Sequence, residues 1–144
     1  MIILLIVSPD LDAPIVPNES AAGIHIGSDA REIIERAGVT FVIDPPDKSR
    51  SYSFSSVLLW ARAGAIHQIG VIGGYRGRID GRIGIGSTIA DVEDAFGRVL
   101  EDDEDNLVVS SSPGWCFETE PWVDGDDLRQ NRFARITAIY VFRR

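Results

Sequence analysis

Two runs of carboxylates are the side chains best suited to chemistry in this chain: Glu101-Asp102-Asp103-Glu104-Asp105, and Asp124-Gly125-Asp126-Asp127. Clustered carboxylates can supply the oxygen ligands of a Ca²⁺ ion. That needs a shaped loop, and neither run matches the twelve-residue EF-hand pattern with its closing Glu. The same groups can face a basic protein surface, or simply stand as solvated loops. Trp115, Phe117 and Trp122 fall between the two runs. Tryptophan among charged neighbours is the composition of an interface anchor inside a polar rim. Trp115 and Phe117 share strand parity and suit a core, whereas Trp122, beside Pro121 and an acidic loop, suits a surface. The expected partner-binding surface is therefore Glu101, Asp102, Asp103, Glu104, Asp105, Trp122, Asp124, Asp126 and Asp127.

The residues for catalysis are sparse. The two histidines, His25 and His67, alternate with isoleucines and read as structural or exposed positions. No HExxH motif, no histidine pair at helical spacing and no Gly-x-Ser-x-Gly elbow is present. The single cysteine, Cys116, lies between Trp115 and Phe117 on an expected strand with no base nearby in sequence. It excludes an intramolecular disulfide and cysteine-rich zinc sites. The glycines of Gly73-Gly74-Tyr75-Arg76-Gly77-Arg78 lead into a strand, not into a helix with a following Lys-Ser/Thr, so they are not a phosphate loop. An enzyme would need a cleft holding carboxylates such as Asp44 or Asp80 with shifted pKa values. The expectation is no enzyme, with no catalytic, cofactor-binding or metal-ligating residue.

Charge points the same way. The 14 Lys and Arg stand against 22 Asp and Glu, for a formal net charge of -8. Nucleic-acid binding needs a basic footprint, so nucleic acid is disfavoured and a basic protein partner favoured. Met1–Val7 is apolar but shorter than the about 20 residues of a membrane span, and it lacks the basic start and cleavage site of a signal peptide. It reads as a buried strand, and the chain as cytoplasmic.

The elements that would position these residues are written twice. Ile24-His25-Ile26-Gly27-Ser28-Asp29 opens a helical stretch closing at Gly38, and Ile83-Gly84-Ile85-Gly86-Ser87-Thr88 opens one closing at Gly97, without a gap between the two alignments. Asp29 with Glu32, and Thr88 with Asp91, have capping-box spacing. Ala30, Ile33 and Ala37 match Ile89, Val92 and Phe96 on the inward faces. Such short helices must dock on a sheet. The first is followed by β-like stretches at Val39–Ile43, Tyr52–Trp60 and Ile66–Ile72, with a Pro45-Pro46-Asp47 loop. The second is followed by Leu107–Ser110, Trp115–Glu118 and Ile136–Phe142, with turns at Ala63-Gly64 and Pro113-Gly114. The expected fold class is α+β: one domain of two tandem copies, about 1–74 and 75–144, of a strand-helix-β-β-β unit. The helices would pack on one face of a curved antiparallel sheet, leaving the other face for solvent or a partner.

The repeated pattern Ile-x-Ile-Gly-Ser-x-x-x-(Asp/Glu)-(Val/Ile)-x-x-x-x-Gly resembles the repeats of β-lactamase-inhibitor-like and small outer-membrane lipoprotein (SmpA/OmlA-type) proteins. The resemblance spans about fifteen residues per copy, and the chain departs from it in lacking a lipoprotein Cys near the start and in its shorter helical part. It implies helix-plus-antiparallel-strand units and carries over no binding residues. Acidic proteins of this size also resemble immunity proteins of secreted toxins. The expected function is a non-catalytic inhibitor or immunity-type module that binds a basic partner, such as a toxin or effector. A structural or assembly module, and a small hydrolase with carboxylates between the repeats, are the alternatives.

Overall fold

The computed structural model describes residues 10–37, 41–43, 49–54 and 56–143. The expected strand Met1–Val7, the helix stop at Gly38, the Pro45-Pro46-Asp47 loop and Asp44 lie outside the described residues. In chain order the elements are β1 (Ser20–Ala21), β2 (Ile24–His25), α1 (Ala30–Ala37), β3 (Phe41–Ile43), β4 (Ser49–Phe54), β5 (Val57–Arg62), β6 (Ala65–Ile72), α2 (Ile89–Phe96), β7 (Val99–Glu101), β8 (Leu107–Val109), β9 (Trp115–Thr119) and β10 (Ile136–Phe142). A short 3-10 turn, Leu128–Asn131, precedes β10.

The α+β expectation is overturned: the protein is predominantly β. Its framework is one eight-stranded antiparallel sheet in the order β3-β4-β5-β6-β10-β9-β8-β7, beside the small β1-β2 ribbon. Helix is confined, among the described residues, to two segments of 8 residues each and the 3-10 turn. Geometry explains why these cannot form a layer. An eight-stranded sheet is roughly 35 Å across at the usual strand spacing, while an eight-residue helix is about 12 Å long. The core is covered jointly by the helices, through Ala30, Ile89 and Val92, and by chain outside the large sheet. Ile15, Ala21, Ala22, Tyr75, Ile79 and Ile83 join the same buried cluster as the sheet residues.

The expected pair of tandem strand-helix-β-β-β copies is not supported either. Tyr52–Trp60, read as one strand, is broken into the hairpin β4-β5. Val99–Glu101, of which only Glu101 was assigned in sequence, as the first residue of the acidic run, is an edge strand paired with β8. The strand expected at Ile83–Ile85 is absent; Ile83 makes only an isolated bridge to Ile79. What does recur is the hinge before each helix. Gly27 and Gly86 have φ of +90° and +92°, a region that costs glycine little. Gly27 N–H donates to Ile66 O (2.7 Å), and Ile66 N–H returns to Ser28 O (2.9 Å). Gly86 N–H donates to Ile136 O (2.9 Å), and Ile136 N–H returns to Ser87 O (2.7 Å). Each Gly-Ser hinge is thus clamped to the beginning of one of the two central strands. Thr88 then caps α2 through a complete capping box with Asp91.

The strand register sorts the side chains into two faces. Val57, Val71, Ile139, Phe117 and Leu107 are successive cross-strand partners and all are buried. With Leu59, Ile69, Val141 and Trp115 they form the core face. At the usual ~25 cal/mol per Å² of apolar area, such rows supply the main drive for folding. Phe96 on α2 closes over Trp115 at 6.0 Å between ring centroids, edge to face.

Candidate functional site

The opposite face is the site. Its central row reads Leu58, Gly70, Tyr140 and Cys116 across β5, β6, β10 and β9. Next to it lies the row Trp60, Gln68 and Phe142. A bulge between Trp60 and Ala61 interrupts the β5-β6 register and re-aims the chain there. Trp60 and Tyr140 meet edge to face, with centroids 5.7 Å apart and planes at 65°. Gly70 makes this possible: a Cβ on it would lie 3.0 Å from Tyr140 Cδ1 and 3.1 Å from Trp60 Cζ3. The two rings therefore lie low on the sheet.

Around them opens a cup of about 490 Å³, lined by Trp60, Gln68, Tyr140 and Phe142 on one side and by Asp102, Glu104, Asn106, Cys116 and Glu118 on the other. The three carboxylates are exposed, the rings half-buried. Asp102 shapes the turn between β7 and β8: its Oδ1 accepts from Glu104 N–H and Asn106 N–H, both at 2.9 Å. Burial tends to raise its carboxyl pKa, but those N–H groups hold it below the ordinary value. Burial, then the negative charge of Asp102, Glu118 and Glu104, pushes the Cys116 thiol up to about 12. Burial, then the charge of Glu118 and the hydrogen bond to it, does the same for the Tyr140 phenol. At neutral pH the floor of the cup is thus uncharged and its rim is anionic.

Six of the nine expected binding residues line three concavities. Asp102 and Glu104 line the cup. Glu101 and Asp105 line an adjoining cleft of about 310 Å³ with Trp122 and Phe117, which shares Glu118 with the cup. Trp122 is half-buried and donates its indole N–H to Thr119 Oγ1 at 3.2 Å, so it is a partly packed residue. Asp124 lines a third concavity with Pro121, Val123 and Phe133. Asp103 and Asp126 are exposed, and Asp127 caps the 3-10 turn by accepting from Arg129 N–H at 2.8 Å. The two acidic runs therefore serve different concavities. Trp115 and Phe117 stack at 5.5 Å inside the core.

Trp60, Gln68, Tyr140, Phe142 and Glu118 were not singled out by sequence. Their only signal was alternation along their strands. Among the described residues, His25 is exposed, His67 half-buried and Asp80 an exposed turn residue. No three His, Cys, Asp or Glu side chains among the described residues are grouped to hold a metal. No helix among them is long and apolar enough to cross a membrane.

The chain matches no protein-family profile and no curated protein sequence. Its fold is similar to that of an uncharacterised Escherichia coli protein, yfeY, at TM-score 0.63 and 14% identity, covering 89% of this chain and 99% of that one. It is also similar to a cysteine-rich secretory protein of Staphylococcus aureus, at TM-score 0.53 and 12% identity, covering 96% of this chain and 50% of that one. The chain thus corresponds to about half the length of the staphylococcal protein. Neither neighbour is a β-lactamase-inhibitor-like or SmpA/OmlA-type protein. At these identities the likeness is one of fold.

Proposed function

We propose that the chain is a non-catalytic protein-binding module, of inhibitor or immunity type, that engages a basic partner through the acidic and aromatic face of its sheet. The observation that carries this reading is the Trp60–Tyr140 ring pair set low in a concave sheet face and rimmed by Asp102, Glu104 and Glu118. Half-buried aromatics within a charged rim suit an interface. The net charge of -8 supports a basic partner, and complementary charge speeds association more than it deepens affinity. This moves the centre of the expected surface from Trp122 to Trp60.

The test is quantitative affinity capture from the native cell with the wild-type chain, with Trp60→Ala/Glu118→Gln, and with Asp124→Asn/Asp126→Asn. A basic protein held by the wild type and the loop variant, and lost from the cup variant, is the expected result. A partner retained equally by all three overturns the reading.

A second reading has one observation in its favour. Val123 and Phe133 are 86% and 73% exposed and lie together on the third concavity. Exposed apolar residues of this size suit self-assembly. Light scattering at high concentration decides it: a monomer excludes assembly through this patch.

A further inference from the structure

We infer that the cup on the outer sheet face receives an arginine side chain of the partner, its guanidinium lying against the Trp60 and Tyr140 rings while Glu104 and Glu118 hold its N–H groups. The inference deepens the binding reading above and rests on it. Three features select this occupant. The rings present half-buried aromatic surface, which attracts a cation placed over it. The carboxylates stand around the same cup, on the β7-β8 turn and on β9. The Asp102 carboxylate is already engaged by Glu104 N–H, Asn106 N–H and, at 3.4 Å, the Asn106 side-chain amide, which leaves Glu104 and Glu118 as the recognition groups.

Arginine fits this combination better than lysine. Its guanidinium is planar, stacks on aromatic rings and offers five N–H donors to two carboxylates, whereas an ammonium is a compact, strongly hydrated point charge. The neutral floor adds a second constraint. The Cys116 thiol and the Tyr140 phenol carry no charge at neutral pH, so the acidic rim alone sets the field.

The probe is the acetylated tripeptide amide Gly-Arg-Gly, titrated into isotopically labelled protein and followed by amide and indole resonances. Its lysine and citrulline counterparts are run beside it. The expected result is saturable shifts at the Trp60 indole N–H and at the Gly70 and Cys116 amides. Lysine should bind about threefold more weakly, because a compact, strongly hydrated ammonium neither stacks on the rings nor offers a planar fork to two carboxylates, and the neutral citrulline peptide should not bind. Glu104→Gln and Glu118→Gln, both at exposed positions, should each weaken the arginine peptide at least threefold, while Asp126→Asn leaves it unchanged. Absence of shifts at the cup, equal binding of citrulline, or equal binding of lysine overturns the inference. If the tripeptide fails while the cup variant still loses its captured partner, only the arginine assignment falls. If the partner is indifferent to the cup variant, the binding reading itself falls.

Discussion

The rings of Trp60 and Tyr140 touch across a strand that has no side chain between them. Trp60 is on β5 and Tyr140 on β10, and Gly70 of the intervening β6 leaves the space into which both lean. The contact is therefore a property of three strands in fixed register.

Gly70→Val should wedge the rings apart. Valine suits a strand, which offsets part of the damage, but its Cβ alone already crowds both rings. The expected loss is about 1–2 kcal/mol, within the range for overpacking. It should come with a changed near-ultraviolet circular dichroism signal from the aromatic pair. Urea unfolding and that spectrum check it; wild-type values in both would refute the ring geometry.

Tyr75→Phe should destabilise a region remote from the cup. The buried Tyr75 hydroxyl accepts from Ala22 N–H at 2.8 Å and donates to Ala13 O at 2.6 Å, tying the β1-β2 ribbon to the chain beyond β6. Without it a buried N–H loses its partner, at about 1–3 kcal/mol. Chemical denaturation should show this loss, and amide exchange at Ala22 should accelerate. Exchange at Tyr140 should rise by no more than the global loss accounts for, and a larger rise there than at Ala22 would refute the local tie.

Asn131→Ala should loosen the loop that carries Val123 and Asp124. Asn131 is 4% exposed. Its Oδ1 accepts from Val123 N–H and Asp124 N–H, both at 3.1 Å, and its Nδ2 donates to Gly125 O and Asp127 O at 2.9 and 2.8 Å. Removing the four bonds should cost about 2–3 kcal/mol. Hydrogen exchange at Val123 and Asp124 should rise well above its rise elsewhere. A uniform increase would show that the loop is held by other means.

Acid should weaken the link between α2 and the 3-10 turn. Burial raises the Glu93 carboxyl, but Arg129 Nη1 at 2.7 Å, Val99 N–H and the charges of Arg129 and Arg132 hold it below the ordinary 4.5. A depressed folded-state pKa contributes stability that is present above the unfolded value and lost as pH falls through the folded one. Arg129 is half-exposed, so solvent screening limits the contribution to about 1 kcal/mol at neutral pH. Glu93→Gln should lose that amount at pH 7 and converge on the wild type once pH has fallen through the depressed folded-state pKa. A difference that persists at low pH would assign the effect to packing.

Much of the local structure was legible because its chemistry is local. Thr88 with Asp91, the turn at Ala63-Gly64 and the strand Ile136–Phe142 each carry their signal within a few residues. The break between β4 and β5 was not legible: residues 52–60 contain no glycine or proline to mark it. The weight given to two short helices misjudged the class, since they share the covering of the sheet with isoleucines in irregular chain. The site was the least legible part. The carboxylates of 101–105 stood out as a run, but Trp60, Gly70 and Tyr140 meet only through register, which no single stretch encodes. Trp122 looked like a surface anchor because its indole partner, Thr119, could not be inferred from Pro121 and the acidic loop.

The pairing of β6 with β10 has a consequence for how the protein is made. These neighbours are far apart along the chain, and their union joins the two four-stranded meanders into one sheet. Until residues 136–142 have been synthesised, β6 presents an open, aggregation-prone edge. Sheet closure is a late, non-local event of the kind that slows folding.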